Sequence, residues 1–80
     1  MKNKLASFEE LKILMGKRIA DLRANKLGVT QSQFSILMGV HQVTIASWET
    51  GHQIPTRVHL DKMCALFGVD RFELERTESI

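Results

Sequence analysis

The stretch Gln31-Ser32-Gln33-Phe34-Ser35-Ile36-Leu37-Met38-Gly39-Val40-His41-Gln42-Val43-Thr44-Ile45-Ala46-Ser47-Trp48-Glu49 decides the fold. Thr30 precedes it, and Thr30 with Gln33 is a capping box, in which a hydroxyl and an amide satisfy free backbone N–H groups at a helix start. Phe34, Leu37 and Met38 share one face of the short helix that follows, and Gly39 ends it with left-handed backbone. A further helix fits Gln42 to Thr50, with Ile45 and Trp48 on its inner side and Gly51 as its stop. Counted from Gln31, the fifth residue, Ser35, is small where the two helices must cross, and the ninth, Gly39, makes the turn. The fifteenth and eighteenth, Ile45 and Trp48, anchor the later helix, so His41, Gln42, Val43, Ala46, Ser47 and Thr50 project outward.

Outward from this pair the chain reads as helix throughout. Ser7 and Glu10 form a capping-box start, and Phe8, Leu11, Met15, Ile19 and Leu22 recur at helical steps on one face. This first helix runs to about Asn25. Gly16 interrupts it at a cost of about 1 kcal/mol relative to Ala, so its start lies at Ser7 or nearer Gly16. Beyond Pro55, Thr56 caps a fourth helix carrying Leu60, Met63, Cys64 and Phe67 inward and closed by Gly68. A short fifth helix follows Asp70, with Glu73 three residues later. No alternating run argues for a sheet, so the class is all-α with five helices. The expected division is a core domain over 15–74, an extension over 1–14 and an acidic tail over 75–80. The extension is either an elongation of the first helix or an arm for dimer or protein contact.

Composition narrows the chemistry. Eighty residues fit one domain, and 44% hydrophobic with 25% charged residues is the composition of a folded chain, not of a disordered one. Cys64 is the only cysteine, which excludes an intrachain disulfide and suits a reducing compartment. With no signal peptide and no apolar run long enough for a bilayer, the expectation is a cytoplasmic protein with no membrane contact. His41, His52, His59 and Cys64 match no zinc-ligand spacing, and there is no glycine-rich phosphate loop. No enzyme activity, metal or cofactor is expected, and Cys64 reads as a core thiol. The net charge of +2 decides nothing alone, but residues 70–80 hold two basic against four acidic groups and are unsuited to a polyanion.

Thr30-Gln31, Gly39-Val40, Thr44-Ile45, Trp48-Glu49, Gly51 and Pro55, in that order, resemble the Cro and phage-repressor type, the XRE family of helix-turn-helix proteins. The resemblance extends from about Met15 to Leu74. It implies a five-helix, lambda-repressor-like DNA-binding domain whose third helix lies in the major groove, acting as a transcriptional regulator, foremost a repressor. It also implies a homodimer on a near-palindromic double-stranded operator.

Residue roles follow from the same resemblance. Gln31 grips a phosphate at the start of the second helix. Gln42 and Val43, and one turn on Ala46 and Ser47, face base edges, where Gln suits adenine and Val a thymine methyl. Thr44 either touches phosphate or turns back onto a carbonyl of its own helix. His41 stands where a Ser or Thr cap is usual and offers an imidazole to phosphate or base. Glu49 pairs inward with Arg23, although Arg23 to Val29 looks one residue longer than the family pattern, which leaves that geometry open.

No Lys, Arg, Asp or Glu occurs from Gln31 through Trp48. Attraction to DNA is therefore expected from Lys26, Arg57, Lys17 or Arg18, and His52, with about three or four ions released per subunit. The dimer surface falls on the fourth and fifth helices around Phe67, Phe72 and Leu74, unless these close the core. The alternative function on this fold is an antitoxin or interaction module, with a protein partner such as a toxin.

Overall fold

The computed structural model describes residues 7–75. Five α-helices follow one another: α1 (Phe8–Asp21), α2 (Gln31–Met38), α3 (Gln42–Glu49), α4 (Arg57–Phe67) and α5 (Arg71–Glu75). A π-helical turn, Leu22–Leu27, prolongs α1. Among the described residues there is no strand. The tail residues 76–80 and the first six residues of the extension lie outside the described region.

The helix starts are set by side chains close in sequence. Ser7 Oγ accepts from the Glu10 N–H at 3.1 Å while the Ser7 N–H donates to Glu10 Oε1 at 2.8 Å. Of the two starts left open above, the structure has the one at Ser7. Thr30 and Gln33 form the same reciprocal pair at 3.0 and 2.9 Å. Thr56 Oγ1 accepts from the His59 N–H, and Asp70 Oδ1 from the Glu73 N–H. Each bond satisfies an N–H that the helix itself cannot.

Gly16 does not end or start a helix. It lies buried in the middle of α1, where a Cβ would stand 2.5 Å from the Trp48 carbonyl oxygen and 2.7 Å from that of Glu49. Only a hydrogen at this position lets the end of α3 lie directly on α1, and that contact sets the height of α3 above the body of the fold.

The core is Ile19, Phe34, Met38, Ile45, Trp48, Leu60, Met63, Cys64, Phe67 and Leu74. Phe34 and Phe67 stack with centroids 5.4 Å apart, joining α2 to α4. Phe67 and Leu74 thus close the core and are not available to a dimer surface, whereas Phe72 is 70% exposed. Three other residues expected on inward faces, Phe8, Leu11 and Leu37, also lie outside it. Phe8, the first residue of α1, is 63% exposed, at the rim of clefts that open beside Trp48 and Ile54. Leu37 is exposed because the inner arc of α2 is narrow: Phe34, Ser35 and Met38 occupy it, and Leu37 sits about 110° from its centre at 100° per residue.

Candidate nucleic-acid interface

The outward face of α3 follows from its two anchors. Ile45 is fully buried and Trp48 nearly so. At 100° per residue, Val43 and Ser47 lie opposite this pair, Gln42 and Ala46 on one flank and Thr44 on the other. His41, Gln42 and Val43 are exposed, Val43 at 79%, and Thr44, Ala46 and Ser47 are half-buried. The sequence-derived reading set is thus brought onto one surface, with its most open part at the leading turn. Gly39, at φ 74°, makes the turn between α2 and α3. Ser35 is buried at the crossing, with its hydroxyl donating to the Ser32 carbonyl oxygen at 2.7 Å.

The end of α3 is tied down by a buried ion pair. Arg23 Nε donates to Glu49 Oε2 at 2.6 Å and Arg23 Nη2 to Glu49 Oε1 at 3.2 Å. The two side chains are only 14% and 6% exposed. The third Arg23 nitrogen, Nη1, donates to the Val29 carbonyl oxygen at 2.7 Å. Gln31 Nε2 completes the set by donating to Glu49 Oε1 at 2.9 Å. The first helix, the start of α2 and the end of α3 therefore meet on one carboxylate.

The extra residue before Thr30 does not disturb this clamp. The chain takes it up in the π turn, where the Gly28 N–H reaches the Arg23 carbonyl five residues back, not four. Sequence spacing shows the extra residue; it does not show that a wider turn hides it.

Several expected roles change. Gln31 spends one amide hydrogen on Glu49, an engagement that the motif alone did not suggest, and keeps the other. Arg18 is directed to the Leu74 carbonyl oxygen at 3.5 Å and holds α5, so it is withdrawn from the set facing DNA. Thr44 does not turn back onto its helix: within the described residues its hydroxyl makes no hydrogen bond, and it is Thr50 that donates to Ala46 O at 2.9 Å. His41 occupies the cap position of α3 without any side-chain cap bond. His52 is exposed, with Nδ1 2.9 Å from Thr50 Oγ1.

Lys17, Lys26 and Arg57 are exposed and make no ion pair within the described residues. Arg57 opens α4, the end where a helix dipole disfavours a cation by about 0.3–1 kcal/mol. Asp61, one turn on, pairs with Arg71 and not with Arg57, which leaves this guanidinium open to an external anion. Among the described residues there is no group of His, Cys, Asp and Glu suited to a metal ion.

The decisive comparison is with a helix-turn-helix family model, which matches residues 19–74 and spans all of these elements from the second half of α1 to α5. The chain belongs to the helix-turn-helix family. It is of the XRE, or Cro and phage-repressor, type, a family of DNA-binding transcriptional regulators. The P22 c2 repressor, solved with a synthetic operator, is a helix-turn-helix structure 28% identical to it, with a TM-score of 0.72, covering 81% of this chain and 97% of that one. The restriction-modification controller protein C.AhdI from Aeromonas hydrophila is 24% identical, TM-score 0.69, over 78% of this chain and 92% of that one. A hypothetical transcription factor from Neisseria, NHTF, is 19% identical with a TM-score of 0.75 and covers 96% and 87% respectively. No curated protein sequence matches. Among the described residues, no helix of this helix-turn-helix protein is long and apolar enough to cross a membrane.

Proposed function

We propose that the chain binds a near-palindromic operator as a homodimer in the cytoplasm and represses transcription there, reading bases with Gln42, Val43, Ala46 and Ser47. One observation carries this reading: an uncharged outward face on α3, held rigidly from behind by Ile45, Trp48 and the Arg23–Glu49–Gln31 clamp. A surface without charge discriminates between base edges by hydrogen bonds and methyl contacts, because it has no strong affinity for phosphate that would hold it on any sequence alike.

Phosphate contact then falls to groups at the margin. The second amide hydrogen of Gln31, the unbonded hydroxyl of Thr44, the exposed ring of His41, and Lys26, Arg57 and His52 serve it. The P22 c2 repressor engages a synthetic operator, and its similarity in fold and sequence supports the same partner for this chain. On α4 and α5, the exposed Val58 and Phe72 are the large apolar groups that support a dimer surface there. An antitoxin on this fold would keep the same α3 surface, but repressor and controller relatives favour the regulator.

Binding-site selection from random duplexes with the wild type and Gln42→Ala tests the reading. The wild type should recover a two-fold symmetric site, and Gln42→Ala should relax one position in each half at a cost of about 1–3 kcal/mol. Recovery of the same site with equal affinity by both proteins would remove Gln42 from the reading face.

A further inference from the structure

On the Thr44 flank of α3 there is an open cleft of about 420 Å³. Lys12 of α1, Thr44 of α3, His52 and Gln53 of the following loop, and Thr56 and His59 at the start of α4 supply its polar lining. Among the described residues no Asp or Glu lines it, and Lys12 is the one residue of formal charge that does. The Thr44 hydroxyl and the side-chain amide of Gln53 make no hydrogen bond within the described residues.

Lys12 is held at the wall of this cleft. Its Nζ lies 5.3 Å from the centroid of the Phe8 ring, close enough for a cation–π attraction. Its ion partner among the described residues is Glu9 at 3.4 Å, whose side chain is 75% exposed. The Lys12 side chain is only 16% exposed, but the partner carboxylate is open to water, so salt screens the pair and a phosphate can compete with Glu9 for the ammonium. Both Phe8 and Lys12 lie before the region that the family model matches, and the core does not use Phe8.

We propose that Lys12 makes this cleft a seat for a backbone phosphate of the DNA whose bases α3 reads, with Thr44 and Gln53 as neutral donors. The proposal rests on the DNA-binding reading above. Ammonium, hydroxyl and amide all donate, the non-bridging oxygens of a phosphodiester only accept, and the one nearby carboxylate among the described residues, that of Glu9, lies outside the lining and open to water. The occupant is a strand and not a free ion because the cleft is open and shares a wall with the recognition helix. A phosphate flanking the groove enters it without leaving its sugar. The first helix then supplies the cation that the charge-free stretch 31–48 lacks.

The test is the salt dependence of binding to the selected operator for wild type, Lys12→Met and Lys12→Arg. Methionine keeps the apolar stem over Phe8 and removes only the charge, and equal melting temperatures verify the fold. Lys12→Met should bind about five- to tenfold more weakly at low salt, with the slope of log affinity against log salt reduced by about 0.9 per subunit. Discrimination against a scrambled duplex should be unchanged and Lys12→Arg should restore wild-type behaviour. Wild-type affinity and slope in Lys12→Met overturn the proposal. A rise in wild-type melting temperature with inorganic phosphate at constant ionic strength, absent in Lys12→Met and without any DNA effect, also overturns it and makes the seat one for free anions. If the wild type selects no site at all, the DNA-binding reading has failed, whereas a Gln42→Ala defect alongside a normal Lys12→Met removes the phosphate seat alone.

Discussion

Substituting Gly16→Ala sets two effects of opposite sign against each other, and the structure says which prevails. On helix propensity alone, alanine in the middle of α1 stabilises by about 1 kcal/mol over glycine. The added Cβ, however, would stand 2.5 Å from the Trp48 carbonyl oxygen and 2.7 Å from that of Glu49, where contacts below 3.0 Å essentially never occur. Those oxygens are backbone at the end of α3 and cannot rotate away as a side-chain tip would. Relief requires α1 and α3 to part by about half an ångström, an overpacking distortion that costs about 3 kcal/mol at such a rigid contact. The net expectation is a loss of about 2 kcal/mol, or a melting temperature lower by about 10 °C in a domain of this size. Thermal unfolding followed by far-ultraviolet circular dichroism measures it, with Lys17→Gly against Lys17→Ala at the exposed neighbouring position carrying the propensity effect alone. Operator affinity, measured where both proteins are folded, should fall too, since the displaced element is the recognition helix. A melting temperature equal to or above the wild type would refute the close approach and leave propensity as the whole effect.

Glu49→Ala strands the Arg23 guanidinium in a largely buried site, so unfolding should be easier by about 3 kcal/mol in denaturant titrations, well beyond what an exposed pair would give. A loss under about 1 kcal/mol would mean the clamp is solvated. His41→Ser supplies the side-chain cap that α3 lacks and should raise stability by about 1 kcal/mol, while an unchanged melting temperature would show that the helix end is already satisfied. Burial pushes the Cys64 thiol above its ordinary value of 9.0. The unfolded chain therefore releases this proton first, so the stabilisation is full below the ordinary value and is lost as pH rises through the folded one. Cys64→Ala should flatten the alkaline side of the stability profile, and rapid native labelling by a thiol reagent would contradict the burial.

The spacing from Gln31 to Glu49 made the α2–α3 pair legible, because crossing, turn and anchors each demand one kind of residue at one position. The capping boxes at Ser7 and Thr30 were equally readable, since their partners are three residues away. What was not legible depends on contacts across the fold. Gly16 looked like a helix breaker because a sequence does not say which backbone will lie on it. Arg18 looked like a free cation because its acceptor, the Leu74 carbonyl, is far along the chain. The second partner of Glu49 was hidden for the same reason: the motif gives Gln31 an outward role and does not show that one of its amide hydrogens also reaches the carboxylate. Lys12 was missed altogether, as it sits in an extension that the motif does not cover.

The π turn between α1 and α2 separates two lengths that would otherwise be locked together. With the wider turn there, Arg23 still reaches Glu49, and the ends of α2 and α3 stay fastened to each other, while the height of α3 is set by Gly16 of the first helix. The stretch from Arg23 to Glu49 then behaves as a cassette carrying its own fastening. Grafted onto a relative with a shorter connection, it should bring its operator preference along with its own internal alignment.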